Sequence, residues 1–340
     1  MSTAQRLASK VFRFGIVPRV KQRVGSAYVD LRARRGHTGP PIREAAGEHN
    51  RVDDYWTGHT VNSAPFLTAR QSARYLEWRF REYPLFREFS GLYGRHDGEA
   101  ILDYGCGPGN DLVGFAIHTS ARRIVGADVS SSALRLARHR LSLHPEADGR
   151  VELVRLTDDH TGLPFADGEF DFVSSQGVLH HTSEPLAILR ELHRVLRPGG
   201  EGSIMVYNRD SVWLHLHVAW EVLIRDGRWP GQTAYEVFHR TTDGEDCPIA
   251  NCYSGPQFVA MLEAAGFEAR YLGGYLSQWE LRALQESWGF AIADERLAPE
   301  HRDFLRALRY DYNHRPMIGD LHAGIGGTYR IRKPAQRSAT

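Results

Sequence analysis

Ile101-Leu102-Asp103-Tyr104-Gly105-Cys106-Gly107-Pro108-Gly109-Asn110-Asp111 decides how this chain folds. Two apolar residues run into an acid, glycines then fall at every second position, and an apolar helical pattern resumes at Leu112. Glycines so spaced remove the Cβ atoms that keep a ligand away from the backbone, and they permit a tight turn from strand to helix. Such a turn presents backbone N–H groups at the start of a helix, where an anionic ligand group is favoured. The reading is a loop that holds a cofactor containing a nucleoside. Glycines at 105, 107 and 109 do not fit the dinucleotide spacing G-x-G-x-x-G, and no lysine follows to complete a phosphate loop G-x-x-x-x-G-K-[ST]. What remains is acid-x-G-x-G-x-G.

The following residues extend the pattern. Arg123-Ile124-Val125-Gly126-Ala127-Asp128-Val129-Ser130 reads as a second buried strand that ends in an acid. An acid ~20 residues beyond a glycine loop is placed to accept from both ribose hydroxyls. Residues 151–156 form a third strand, followed by Asp158-Asp159-His160-Thr161-Gly162-Leu163-Pro164-Phe165. A turn at 167–169 enters a fourth strand, and Gln176-Gly177-Val178-Leu179-His180-His181 follows it. Residues 186–196 have apolar positions at helical spacing, and Arg197-Pro198-Gly199-Gly200 stops that helix before a strand at 203–207. This alternation predicts a parallel, doubly wound α/β sheet.

In this order the segments resemble the class I S-adenosylmethionine-dependent methyltransferases, of the small-molecule type with a methyltransferase domain 11-like core. The resemblance implies a Rossmann-like, doubly wound, mostly parallel seven-stranded sheet whose last strand, near 327–332, is the antiparallel member. A helical N-terminal extension and an insertion after the fifth strand complete it. It implies S-adenosyl-L-methionine as cofactor, with the loop around the methionine part and Asp103 near its ammonium. Gly105, Cys106, Gly107, Gly109, Asn110, Asp128, Val129, His160 and Gln176 then line the cofactor site. Asp159 is the expected partner of the adenine amino group, with Asp158 one residue away as the alternative. The segment 53–59 resembles an aromatic lid, so that Tyr55 and Trp56 cover the sulfonium, whose charge an aromatic face stabilises; packing on the core is the competing reading.

The acceptor side follows from the same resemblance. Ligands lie beyond the carboxyl ends of the strands in such sheets, and His180, His181 and Tyr207 are the expected catalytic candidates. His180 sits where family members differ, which suits a base or a substrate contact. His181 recurs across the family, which suits a structural hydrogen bond. Tyr207 and Asn208 belong to the pocket mouth or to a simple strand end. The insertion at 211–251 carries Trp213, His215, His217, Trp220, His239 and Arg240. Trp213, Leu216 and Trp220 have the spacing of a packing stripe, which leaves His239-Arg240 and His314-Arg315 as candidates for an anionic acceptor.

The 340 residues divide into an extension and lid (1–95), a cofactor core (96–207), and a specificity insertion with the rest of the sheet (208–340). Hydrophobic residues make up 42%, enough for a core, and no apolar run is long enough to span a membrane. A net charge of +1 gives no general nucleic-acid signal. Cys106, Cys247 and Cys252 are too few and odd in number for a disulfide framework, so a cytoplasmic enzyme is expected. Cys247 and Cys252 leave a metal or soft-element site open, but ordinary loop side chains are the reading taken and no metal is expected. The first 43 residues hold ten Lys or Arg and one acid, either a surface tail or a segment for an anionic membrane or phosphate-bearing partner.

Several classes are excluded by pattern. Gln176-Gly177-Val178-Leu179 is not the (Asp/Asn)-Pro-Pro-aromatic signature of enzymes acting on DNA base amines. The cysteines do not match arsenic-type enzymes, and the paired glutamates of protein-arginine enzymes are missing. A small-molecule acceptor is expected, methylated on O or N in secondary-metabolite or cell-envelope biosynthesis, with no nucleic acid and no stable membrane insertion. A homodimer stays open. The alternative is a protein that binds S-adenosylmethionine for a non-methylating reaction or as a binding module.

Overall fold

The computed structural model describes residues 28–32, 39–45, 51–61, 65–157 and 162–335. In chain order the strands are β1 (Ile42–Glu44), β2 (Ala100–Tyr104), β3 (Arg123–Asp128), β4 (Val151–Arg155), β5 (Phe170–Gln176) and β6 (Leu196–Tyr207). They continue with β7 (Glu268–Tyr275), β8 (Arg309–Tyr310), β9 (Pro316–Ile318), β10 (Leu321–His322) and β11 (Gly326–Arg332). The main sheet runs β1-β4-β3-β2-β5-β6-β11-β7, and β10-β9-β8 form a small separate sheet. Every residue of β2 is buried, as a central parallel strand with both faces covered requires. The helices Asn110–His118 and Ser131–Leu141 cover one face around Leu112, Phe115 and Leu134. Pro185–Val195 and Gly255–Ala264 cover the other around Leu192, Phe258 and Leu262. β11 runs antiparallel between β6 and β7, pairing Gly326 with both Tyr207 and Tyr275.

The main sheet has eight strands where seven were expected. The eighth is β1, which pairs parallel to β4 with Ile42 opposite Leu153, and Ala45 N–H donates to Arg155 O at 2.8 Å. Without it, β4 would present a row of unpaired backbone groups, a free edge that invites pairing with another chain. A three-residue strand with an exposed outer face carries little periodicity, which is why the sequence pattern passed over it.

Two segments leave the sheet and meet. The expected insertion after β6 holds the π-helix Trp213–Arg225 and the helix Ala234–Thr242. A second, between β7 and β11, holds Gln278–Ala293 and Pro299–Ala307. They share one apolar cluster that includes Leu216, Val218, Phe238, Leu284 and Leu305. Leu216 and Trp220 are buried in it, so the stripe seen in the sequence is packing. Glu280 ties the two together. It is fully buried, and its carboxylate accepts from Ser277 N–H at 2.8 Å, Ser277 Oγ at 2.9 Å and Trp213 N–H at 3.2 Å. Burial pushes its pKa up to about 7.

Candidate functional site

The loop after β2 has φ of +75° at Gly105, +52° at Gly107 and +79° at Gly109, the left-handed region that glycine occupies without steric cost. A Cβ on Gly105 would lie 2.2 Å from a methyl of Val178. Around Gly107 there is open space, so a ligand is free to approach its backbone. Asp128 braces this loop: its carboxylate accepts from Gly107 N–H at 2.7 Å and from Ser130 N–H at 2.8 Å. Burial outweighs those bonds and pushes its pKa up to about 6. Asp103 is buried at the end of β2, and its Oδ2 has no hydrogen-bond partner. Burial first, and the Asp111 charge second, raise its pKa well above the usual carboxylate range. A buried acceptor left without a donor is costly, and a ligand ammonium at that position would satisfy it.

Other expected cofactor residues contribute less through their side chains. Cys106 packs into the apolar cluster beneath the loop. The Asn110 carboxamide accepts from Arg140, a fully buried guanidinium that also donates to Ser72 Oγ at 2.7 Å. Val129 packs against the core. Gln176 donates to Ser203 O at 2.9 Å and keeps its buried Oε1 without a partner. Asp158, Asp159, His160 and most of the basic segment 1–43 lie outside the described residues.

The segment 53–59 belongs to the helix Arg51–Gly58, docked on the start of the helix that follows β3. Ser130 Oγ donates to Trp56 O at 3.1 Å, and Ser132 Oγ to Thr57 O at 2.6 Å. Trp56 meets His181 edge-on at 4.7 Å. Tyr55 stacks on His59 at 4.2 Å, and its hydroxyl donates to Asp243 O at 3.0 Å.

His180 and His181 sit in a short 3-10 turn, Leu179–His181, just beyond β5. His180 is fully buried and stacks on Tyr207 at 3.8 Å. Its Nδ1 accepts from the Tyr207 backbone N–H at 3.2 Å, which places the ring proton on Nε2. Burial holds its pKa well below the usual imidazole value, with the neighbouring His181 adding to the effect. His181 uses Nδ1 to donate to Ile249 O at 2.7 Å, and its Nε2 faces Asp243 Oδ2 at 3.7 Å. Tyr207 donates its hydroxyl to Asp243 Oδ1 at 3.0 Å. Burial and Asp243 raise the Tyr207 pKa well above its usual value, so the phenol stays protonated and acts as a donor.

Asp243 is therefore the hub of this cluster, and the sequence reading missed it. The loop that carries it is fixed by Cys247 N–H to Gly244 O at 3.0 Å and by Asn251 N–H to His180 O at 2.9 Å. An acid four residues before a cysteine, in a stretch with no helical or strand period, was the available signal. The remaining candidates have other partners. His215 Nδ1 lies 2.9 Å from His301 Nδ1, and its ring stacks on Phe304 at 3.8 Å within the insertion core. His239 and Arg240 occupy the last turn of Ala234–Thr242. Arg315 follows the turn at His314, where its N–H donates to Asp311 at 2.8 Å.

The family described as a methyltransferase domain matches residues 102–204, the stretch from β2 to β6. An uncharacterized methyltransferase of Synechocystis is 30% identical over 193 residues, covering 55% of this chain and 76% of the relative. The chain belongs to the class I S-adenosylmethionine-dependent methyltransferases. A demethylmenaquinone methyltransferase of Clavibacter sepedonicus is similar at 29% identity over 246 residues, 71% of this chain and 76% of that one. A probable methyltransferase of Aspergillus luteorubrus is 31% identical over 175 residues, 50% of this chain and 57% of its own length. An uncharacterized 37.1 kDa transposon protein of Streptomyces fradiae, 42% identical over 104 residues, is covered over only 28% of its length. The cofactor of this methyltransferase is S-adenosylmethionine. The unpartnered Asp103 Oδ2 and the open backbone at Gly107 fit its ammonium and methionine part.

Proposed function

We propose that this methyltransferase acts on an O or N atom of a small-molecule acceptor, in secondary-metabolite or cell-envelope biosynthesis. The observation that carries the reading is the wall built beyond β5 and β6. Trp56, Tyr55, His181, Tyr207 and Asp243 come from four separate segments and form one connected set of rings and hydrogen bonds. A wall that is aromatic, half-buried and polar at a few points suits a compact acceptor rather than a phosphate backbone. The similarity to an enzyme named for demethylmenaquinone points the same way.

Bound S-adenosylmethionine supplies an electrophilic methyl group. Asp103 and Asp128 hold the donor, and Trp56 with Tyr55 closes over it, excluding water. Holding the acceptor atom in line accounts for much of the acceleration. Tyr207, His181 and Asp243 are assigned to the acceptor side. His180, neutral and bonded to the Tyr207 backbone, is a positioning residue rather than the base. Asp159 and His160 are proposed for the adenine end. Incubation with labelled donor and a panel of hydroxylated and aminated small molecules tests the reading, expecting S-adenosylhomocysteine only when an acceptor is present. Donor binding with no product on any small acceptor, together with methylation of tRNA, would overturn it.

A further inference from the structure

Among the described residues, His181, Asp243 and Cys247 are the one set of three histidine, cysteine or carboxylate side chains whose donor atoms converge, all within 4.8 Å of one another. Each is tucked away from water: His181 is 6% exposed, Cys247 3%, and the Asp243 side chain 13%. Because His181 Nδ1–H is committed to Ile249 O, the lone pair on Nε2 is directed toward Asp243 Oδ2. That oxygen is buried and has no hydrogen-bond donor. Two electron-pair donors thus face each other at 3.7 Å with a thiol alongside, an arrangement that is repulsive unless a cation lies between them.

We propose that His181 Nε2, Asp243 Oδ2 and Cys247 Sγ bind one divalent ion of borderline softness, Zn²⁺. The donor set of imidazole, carboxylate and thiolate selects zinc over the hard cations calcium and magnesium. Bonds of ~2.0–2.3 Å at a tetrahedral centre separate two ligands by about 3.3–3.8 Å, which matches the spacing of Nε2 and Oδ2. Binding draws Cys247 Sγ inward by ~1 Å or less from the edge of the 4.8 Å envelope. The supporting shell is already built. Ile249 O orients the imidazole, and the Tyr207 hydroxyl holds the other Asp243 oxygen at 3.0 Å. Metal sites depend on such outer partners to fix ligand tautomer and direction. Cys252, outside the set, is a separate half-buried thiol.

Three protein ligands with a fourth position left over is the pattern of zinc sites that act on a substrate. Here that position would take the heteroatom of a hydroxyl or thiol acceptor and lower its pKa. This last step rests on the methyltransferase reading, whereas ion binding does not. The test uses the full chain, stripped with chelator and then titrated with Zn²⁺ or Co²⁺. The expected result is about one tightly held ion per chain, and for Co²⁺ a tetrahedral visible spectrum with a thiolate charge-transfer band.

Cys247→Ser should abolish that band, and Asp243→Asn should weaken Zn²⁺ at least ~10- to 100-fold, the loss that even outer-shell changes cause. Cys252→Ser should leave both unchanged. Circular dichroism and S-adenosylhomocysteine affinity check that each variant is folded. No stoichiometric ion at micromolar Zn²⁺, or a band that survives Cys247→Ser and vanishes in Cys252→Ser, would overturn the site. Zinc binding without methyl transfer would instead overturn the acceptor reading and leave the site standing.

Discussion

Removing the Asp128 carboxylate tests the donor site most directly, because the structure shows what each of its oxygens already does. Oδ2 holds Gly107 N–H at 2.7 Å and Oδ1 holds Ser130 N–H at 2.8 Å, each with capacity for a further donor. Two ribose hydroxyls accepted by a carboxylate are together worth ~3–6 kcal/mol at most, at ~1.5–3 for each charged hydrogen bond. Part of that is spent in competition with the existing bonds, which leaves ~2–4 kcal/mol, or ~30- to 1,000-fold in Kd. Asp128→Ala should therefore weaken S-adenosylhomocysteine by that factor in calorimetry, and Asp128→Asn by less, since one acceptor oxygen remains. The pH dependence follows from the same group. In the free protein its pKa is about 6, raised from 3.8 by burial, and hydroxyl donors in the complex favour the charged form and lower it. Affinity should then fall as pH drops through 6, by up to ~10-fold per unit, and this slope should vanish in Asp128→Asn. An Asp128→Ala affinity within twofold of the parent would refute the ribose assignment.

Glu280 gives a stability prediction of definite sign. Its folded pKa of about 7 lies above the unfolded value of 4.5, so the folded state holds the extra proton between those limits. Stability is fully present below pH ~4.5 and is lost as pH rises through 7, by ~3 kcal/mol at most; thermal melts from pH 5 to 8 should show the fall, and Glu280→Gln should flatten it. Gly105→Ala should lower Tm and weaken the donor product together, at ~1–3 kcal/mol, because the new Cβ meets Val178 at 2.2 Å with φ at +75°; an unchanged Tm would show that the loop adapts. His180→Ala should cost ~1–3 kcal/mol of stability by leaving the Tyr207 N–H unpaired, while donor affinity and the shape of the pH–rate profile stay as they were. Loss of one limb of that profile, with a fall in turnover of ~100-fold or more, would restore His180 as the base.

The donor half was readable in the sequence because one short stretch contains everything it needs. Strand β2, its terminal acid, the glycine turn and the following helix are contiguous, and each carries a local signature: a buried apolar run, φ above zero, a helical period. Asp128 was readable for the same reason, being a strand-end residue at a fixed distance from that turn. The acceptor half has no such economy. Tyr55, His181, Tyr207, Asp243 and Cys247 are brought together from segments up to 192 residues apart, and what joins them is hydrogen bonding between loops. Such bonds leave no period to detect. Asp243 is the clearest instance: it ends a helix whose capping box and buried Val237 and Phe238 are visible in the sequence, yet its partners, Tyr207 and His181, lie 36 and 62 positions earlier. Only the packing of the two insertions, pinned by Glu280 to the backbone at Trp213, turns that helix end toward β6. The second insertion thus acts on the site without touching it. Substitutions in the helix Gln278–Ala293 that loosen this packing should alter acceptor KM while sparing donor affinity, and equal losses in both would show that the insertions support the whole sheet rather than the acceptor wall.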